Sequence, residues 1–406
     1  MFFNSLNHKN AFFVKVHNYA YAEEISPEEE LKNQTNKILD ELDLYETEKY
    51  FEENQDYYQK IFSVTSFREL LNKILSGELS TNFDSIFKII VLAIKENLVS
   101  FLSPLLVIFM IMLLSSIFKS IRPKISENSI SKIILFSSYS IAVTIIAFLF
   151  FNCLKSVNGI ITQMQNQMNG AFPIVLLLMS AASGNASVAA YKPMVLVLSN
   201  VVSNIFTKIL IPIVIITFVL GVVGGITEDN DFKGIKEFFS SSFKWVLGIS
   251  FTVYSAFMTI QGITASSADG IVIKTTKYAI KNYVPMLGGY ISDGFEVAKV
   301  GSIIIKNAVG FSGIILMLVT ILSPILLICA FQLSIKLVEG LSGAVGGKIS
   351  GIYNATGKSL TLLLVVLISI FMMYFISMML LICSLGGVWW LKVFINLFKL
   401  CVFVRW

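Results

Sequence analysis

Apolar residues along this chain gather in unbroken stretches of about 18–25 positions, each long enough at 1.5 Å rise per residue to cross roughly 30 Å of hydrocarbon. Stretches at about 97–118, 130–152, 172–190, 193–225, 243–262, 308–331 and 359–384 predict seven membrane-spanning helices. The fourth exceeds one straight crossing, which predicts a tilt or a break near Pro212. Ahead of the spans the pattern changes. Residues 23–82 are charged, with Leu31, Ile38, Leu42 and Tyr45, then Phe67, Leu70, Leu71, Ile74 and Leu75, recurring at helical spacing. That predicts a small helical region in water. Phe83, Ile86, Phe87, Ile90 and Ile94 form one stripe, with Asp84, Lys88, Lys95 and Glu96 outside it, which predicts an amphipathic helix over 83–96 lying at the membrane surface. The fold class expected is all-α: a polytopic helical membrane domain over 97–384 behind a small helical extracytoplasmic region.

Two stretches depart from plain spans. Segment 284–307 is punctuated by Pro285, Gly288, Gly289, Gly294 and Gly301 and carries Asp293, Glu296 and Lys299. Irregular backbone at membrane depth persists only where it is buried in protein or faces water, so the segment reads as a broken or re-entrant element or as an interfacial helix pair. The small-residue tract 180–190 suits close helix approach, with Asn185 hydrogen-bonding across the interface. At the ends, Ala20-Tyr21-Ala22 before Glu23 resembles a signal-peptidase site over 1–22, behind a core made atypical by Asn4, Asn7, His8, Lys9 and Asn10. The tail 385–406, with Trp389, Trp390, Lys392, Lys399, Arg405 and Trp406, suits an interfacial anchor.

Composition sharpens this picture. Of the 406 residues 55% are hydrophobic and 14% charged, which excludes an ordinary soluble domain. Residues 23–84 hold 16 acidic and 6 basic side chains, whereas the remainder of the chain is strongly basic and brings the total to +5. Two regions in different solvents explain that split, so the basic balance points to cytoplasmic loops and anionic lipid, not to nucleic acid. With 23–82 extracytoplasmic, the loop carrying Lys119, Arg122 and Lys124 falls inside, the nearly uncharged 153–171 loop outside, and the basic 332–358 loop outside against the rule. The four cysteines stand singly in or beside apolar stretches and outline no disulfide framework or metal site.

Catalytic chemistry has little to work with. Both histidines, His8 and His17, precede the cleavage-like site, leaving no general base or zinc ligand of that type in the processed chain. Gly357-Lys358-Ser359 follows Gly351 at the wrong spacing for a phosphate loop. Asp269 and Asp293 lack the Gly-x-Gly-Asp setting of an intramembrane aspartyl protease. What remains is the polar, glycine-punctuated block from Gln261 to Gly310, where charges stand among apolar neighbours. A polar pathway, a protein interface and solvated loop charge each account for it. No cofactor is expected.

Ile260-Gln261-Gly262-Ile263-Thr264-Ala265-Ser266-Ser267-Ala268-Asp269-Gly270-Ile271, Lys274-Thr275-Thr276-Lys277-Tyr278, Val284-Pro285-Met286-Leu287-Gly288-Gly289-Tyr290-Ile291-Ser292-Asp293 and Ile305-Lys306-Asn307-Ala308-Val309-Gly310 resemble, in order, blocks of the stage III sporulation protein AE family of endospore-forming bacteria. The tract Ser183 to Ala190 and the stretch Pro193 to Asn200 are similar to a further block. The resemblance implies a non-enzymatic membrane subunit of a secretion-like channel between mother cell and forespore, resident in the mother-cell membrane facing the forespore. Implied partners are membrane lipid, the other proteins of its operon and a forespore-side channel protein, with self-association of the chain left open and no nucleic acid. The alternative is a self-contained secondary transporter or permease, which needs a midplane site built from discontinuous helices. Candidate functional or interface residues are Gln261, Gly262, Asp269, Gly270, Lys274, Lys277, Pro285, Gly288, Asp293, Lys306, Asn307, Gly310 and Asn185. The 260–310 block is expected to fold into the bundle, with Asp293 and Lys306 satisfied by protein groups or water.

Overall fold

The computed structural model describes residues 27–76, 83–96, 128–183, 197–227, 234–258, 288–345 and 350–383, with isolated positions 78, 106, 107, 110, 117 and 232. Every regular element among them is helical. The charged N-terminal region forms α1 (Pro27–Glu41), α2 (Tyr45–Glu52), α3 (Gln55–Phe62) and α4 (Phe67–Leu75). Its core is Leu39, Leu42, Phe51, Tyr58, Phe62, Val64, Phe67, Leu70 and Leu71. Tyr45, expected on the apolar stripe, opens α2 and stays exposed, while Leu39 and Leu44 are buried instead.

The links in this region are locally specified. Ser66 caps α4 by accepting from the Glu69 backbone N–H at 3.1 Å, and Glu69 reaches back to the Thr65 N–H at 2.7 Å and hydroxyl at 2.9 Å. Those two bonds hold the Glu69 carboxyl below its ordinary range. The Glu48 carboxylate accepts from the backbone N–H groups of Phe67 and Arg68, adding an acceptor at the same helix end. α3 ends at Ser63, whose φ of 53° lies in the left-handed region.

Helix α5 (Phe83–Glu96) leaves Phe87, Val91, Leu92 and Ile94 exposed beside Lys88 and Lys95. The apolar body follows: α6 (Asn128–Ser183), α7 (197–227), α8 (234–258), α9 (Gly288–Val345) and α10 (Ser350–Cys383). Four of these contain stretches long and apolar enough to cross a membrane: Ser140–Ala181, Asn200–Gly225, Val297–Val338 and Gly351–Ile382. α9 is the hub, packing against α6, α10 and the N-terminal helices α1 and α4, while α10 also carries α7.

Several expectations change here. The span expected at 130–152 and the part of the 172–190 span up to Ser183 belong to one 56-residue helix, and the intervening 153–171 segment is helix, not an external loop. Its buried face explains this: Cys153, Leu154, Val157, Ile160, Ile161, Met164 and Met168 keep helical spacing straight through the polar stretch. Likewise the part of 284–307 from Gly288 onward is neither broken nor re-entrant but the first third of the 58-residue α9, so its backbone groups are satisfied within the helix. Of the 332–358 segment, expected as a loop, 332–345 are the end of α9 and 350–358 the start of α10, with 346–349 outside the described residues. Among the described residues four candidate spans are found, which leaves the count of seven unconfirmed, the stretch 97–118 lying almost wholly outside them. α7 does not break at Pro212. It runs through wide π turns at Val197–Val202 and Phe206–Leu210 before continuing as α-helix from Ile211, which relieves the proline ring against the preceding turn.

Candidate functional site

The polar groups of the body converge on α10. At its C-terminal end, Lys306 of α9 is fully buried and its Nζ donates to the carbonyls of Leu381 at 3.2 Å and Ile382 at 2.9 Å. These oxygens belong to the last turn of α10, where carbonyls lack intrahelical partners and the helix dipole is negative. An ammonium is costly to bury unless it is paired in this way. One turn further along α9, Gly310 lies against Ile382, and a Cβ there would collide with that side chain. Glycine at 310 is thus what lets α9 come close enough for Lys306 to reach the carbonyls.

The opposite end of α10 is closed by a second contact of small residues. Gly221 and Gly225 of α7, four apart, face Gly351 and Ala355 of α10, also four apart. A Cβ on Gly225 would sit 2.9 Å from the Ile352 backbone nitrogen, and one on Gly221 2.8 Å from the Ala355 Cβ. In lipid this close backbone approach replaces hydrophobic burial as the source of helix affinity. Between the two contacts hydroxyls bridge the helices. Ser203 of α7 and Tyr374 of α10 share a hydrogen bond of 2.7 Å, while Tyr254 of α8 donates to the Met373 carbonyl at 2.5 Å and also lies in short contact with Ser377.

A third cluster joins the N-terminal region to the body. Thr320 of α9 donates to the Leu316 carbonyl at 2.7 Å. Its oxygen lies within hydrogen-bond distance of the phenols of Tyr58 (2.9 Å) and Tyr50 (3.2 Å), which are themselves 3.1 Å apart, so two phenolic protons are shared among three oxygens. Desolvation pushes the Tyr50 phenol up, against the pull of its bonds to Thr320 and Tyr58, so it stays neutral. On the same helix, a Cβ added at Gly301 would meet Ile38 and Thr35 of α1 at 3.4 Å, an ordinary contact. The acidic helices are thus seated along α9 from Gly301 to Thr320. None of these arrangements is catalytic in form, and among the described residues no three His, Cys, Asp or Glu side chains gather to hold a metal.

A family model described as stage III sporulation protein AE matches residues 65–386. The chain belongs to that family. The stage III sporulation protein AE of Bacillus subtilis (strain 168) is 22% identical over 257 residues, covering 62% of this chain and 63% of that relative. No solved structure matches the chain. The chain thus spans 63% of the length of that relative, and the family it belongs to is described as a stage III sporulation protein.

Of the residues singled out in the sequence of this AE-family protein, the structure brings two together at one contact, Lys306 and Gly310. Asn307, between them, is exposed. Gly288 and Asp293 fall on the first turns of α9. Gln261, Gly262, Asp269, Gly270, Lys274, Lys277, Pro285 and Asn185 lie outside the described residues. Sequence reading passed over Tyr50, Tyr58, Ser203, Tyr254, Thr320, Tyr374 and Ser377. Their signal was a hydroxyl within an apolar run or on an apolar stripe.

Proposed function

We propose that this AE-family protein is a non-enzymatic integral subunit of a secretion-like channel joining mother cell and forespore, set in the mother-cell membrane facing the forespore. Its N-terminal helices lie in the intermembrane space and meet extracytoplasmic partners, including a forespore-side channel protein. The other proteins of its operon bind the membrane body. The observation that supports a subunit role is the seat of α2 and α3 on Thr320, which ties an acidic, water-solvated region to the most apolar of the candidate spans by buried hydrogen bonds. Such a joint couples an extracytoplasmic contact to a membrane body.

The test is replacement of the gene in an endospore former by a tagged copy and by Thr320→Val with Tyr58→Phe. The tagged copy should co-purify with its operon partners and sustain forespore gene expression after engulfment, and the double variant should lose both. Normal spore formation by a deletion strain overturns the reading. A second reading, a secondary transporter, is favoured by one feature: the π turns of α7 sit inside an apolar span, where π geometry often accompanies a binding site. Saturable solute uptake by liposomes holding the purified protein alone would select it.

A further inference from the structure

Two ammonium groups come together where α7 crosses α10. Gly221 of α7 faces Ala355 of α10, and the Lys236 Nζ, reaching across from α8, would stand 3.2 Å from a Cβ on Gly221. The glycine leaves room for the ammonium. Lys358 follows Ala355 by three residues and so lies on the same face of α10. Burial, and after it the charge of Lys358, hold the Lys236 ammonium below its ordinary range. Among the described residues neither lysine is paired with a carboxylate. α7 and α10 contain no Asp or Glu, and the one carboxylate of α8, Glu237, is exposed. A half-buried cation held beside a second one disfavours the folded state unless an anion joins them.

The place of this pair in the bundle points to the source of that anion. Gly221 and Lys358 stand one to two turns inside the ends of the candidate spans Asn200–Gly225 and Gly351–Ile382, a depth from which a lysine side chain reaches the headgroup level. Val219 and Val223 of α7 and Ile235 and Phe238 of α8 are exposed nearby and offer apolar surface to acyl chains. α9 and α10 run antiparallel, with Gly313 beside Met378 and Gln332 bonded to Thr361. Thr320, where the acidic helices are seated, therefore stands about 20 Å along the bundle from Lys358. The lysines occupy the end of α10 that faces away from those helices.

We infer that Lys236 and Lys358 bind the phosphate of an anionic phospholipid, which bridges α8 and α10 beside Gly221. The inference rests on the channel reading for the choice of leaflet alone: with the N-terminal helices in the intermembrane space, the site faces the mother-cell cytoplasm, where anionic lipid draws basic segments to the surface. The bound phosphate ties α8 to the α7/α10 crossing.

Thermal unfolding of the full-length protein in detergent, titrated with phosphatidylglycerol, phosphatidylcholine or inorganic phosphate, tests the site. Phosphatidylglycerol should raise the Tm, and its affinity should fall about fivefold in Lys358→Gln and about 25-fold in Lys236→Gln/Lys358→Gln. Without lipid the sign reverses: Lys358→Gln should raise the Tm, because it removes a repulsion that only the phosphate offsets. Lys336→Gln, at the same level of α9 where Ile335 meets Gly357, should leave the affinity unchanged. Equal protection by phosphatidylcholine, an unchanged affinity in the double variant, or an equal loss in Lys336→Gln overturns the inference. Equal protection by inorganic phosphate marks an aqueous anion site and overturns it too. A lipid-free Tm that falls in Lys358→Gln does the same, because the lysine then has its partner within the chain. None of these results touches the channel reading, which stands or falls on the deletion strain.

Discussion

The N-terminal helices and the apolar body are both all-helical, yet they are held by different forces. In α1 to α4 apolar side chains leave water for a shared core, and the helix ends are finished by local acceptors: Ser66 and Glu69 at α4, Glu48 from a neighbouring helix, and the exposed Arg68–Asp40 pair at 2.7 Å. Such exposed pairs contribute at most about 1 kcal/mol. In the body, where lipid solvates apolar side chains as well as a neighbouring helix does, the decisive contacts are glycine against glycine and hydroxyl against hydroxyl. The difference teaches that the two halves respond to different substitutions. Loss of an apolar side chain harms the first, whereas gain of one at a close contact harms the second.

The comparison breaks most visibly at Lys306. Lys306→Glu sets a carboxylate against the Leu381 and Ile382 carbonyls, and an unpaired buried charge costs about 3–5 kcal/mol. The expected outcome is loss of the folded membrane body, seen as protease sensitivity in detergent, with Lys306→Arg retaining much of the wild-type resistance. Next comes Gly225→Leu, which places a large side chain against the Ile352 backbone and should cost about 3 kcal/mol by overpacking. A falling detergent Tm is the readout, and an unchanged Tm would mean that α7 and α10 do not approach as closely as described. The smallest effect sharpens the N-terminal side. The folded pKa of Glu69 lies below its unfolded value, so its contribution is complete above the unfolded value and disappears as pH falls through the folded one. Amide exchange at Thr65 and Glu69 should accelerate on acidification, and Glu69→Gln should flatten that dependence without altering the body.

Much of this was legible in the chain. The helical spacing of Phe67, Leu70 and Leu71 announced α4, and all three are buried. Lys306 and Gly310 stood out as a charge and a gap in an apolar stretch, and they meet at one crossing. The continuity of α6 was not legible from hydropathy, because an average over a window merges a polar exposed arc with an apolar buried one. Only the periodicity of Val157, Ile160, Ile161, Met164 and Met168 separates them. The Tyr58–Thr320 bond was beyond reach for another reason: its partners are 262 residues apart, and neither side chain is unusual where it stands.

That separation governs how the protein is made. At roughly 5–20 residues per second of synthesis, Tyr58 leaves the ribosome some 13–50 s before Thr320 exists. Throughout that interval the nascent acidic helices have no docking place, with Phe67 and Leu70 dependent on local packing alone. Newly made chains are therefore open to quality-control proteases until α9 arrives, and a translational stall between these two positions would leave a fragment marked for destruction.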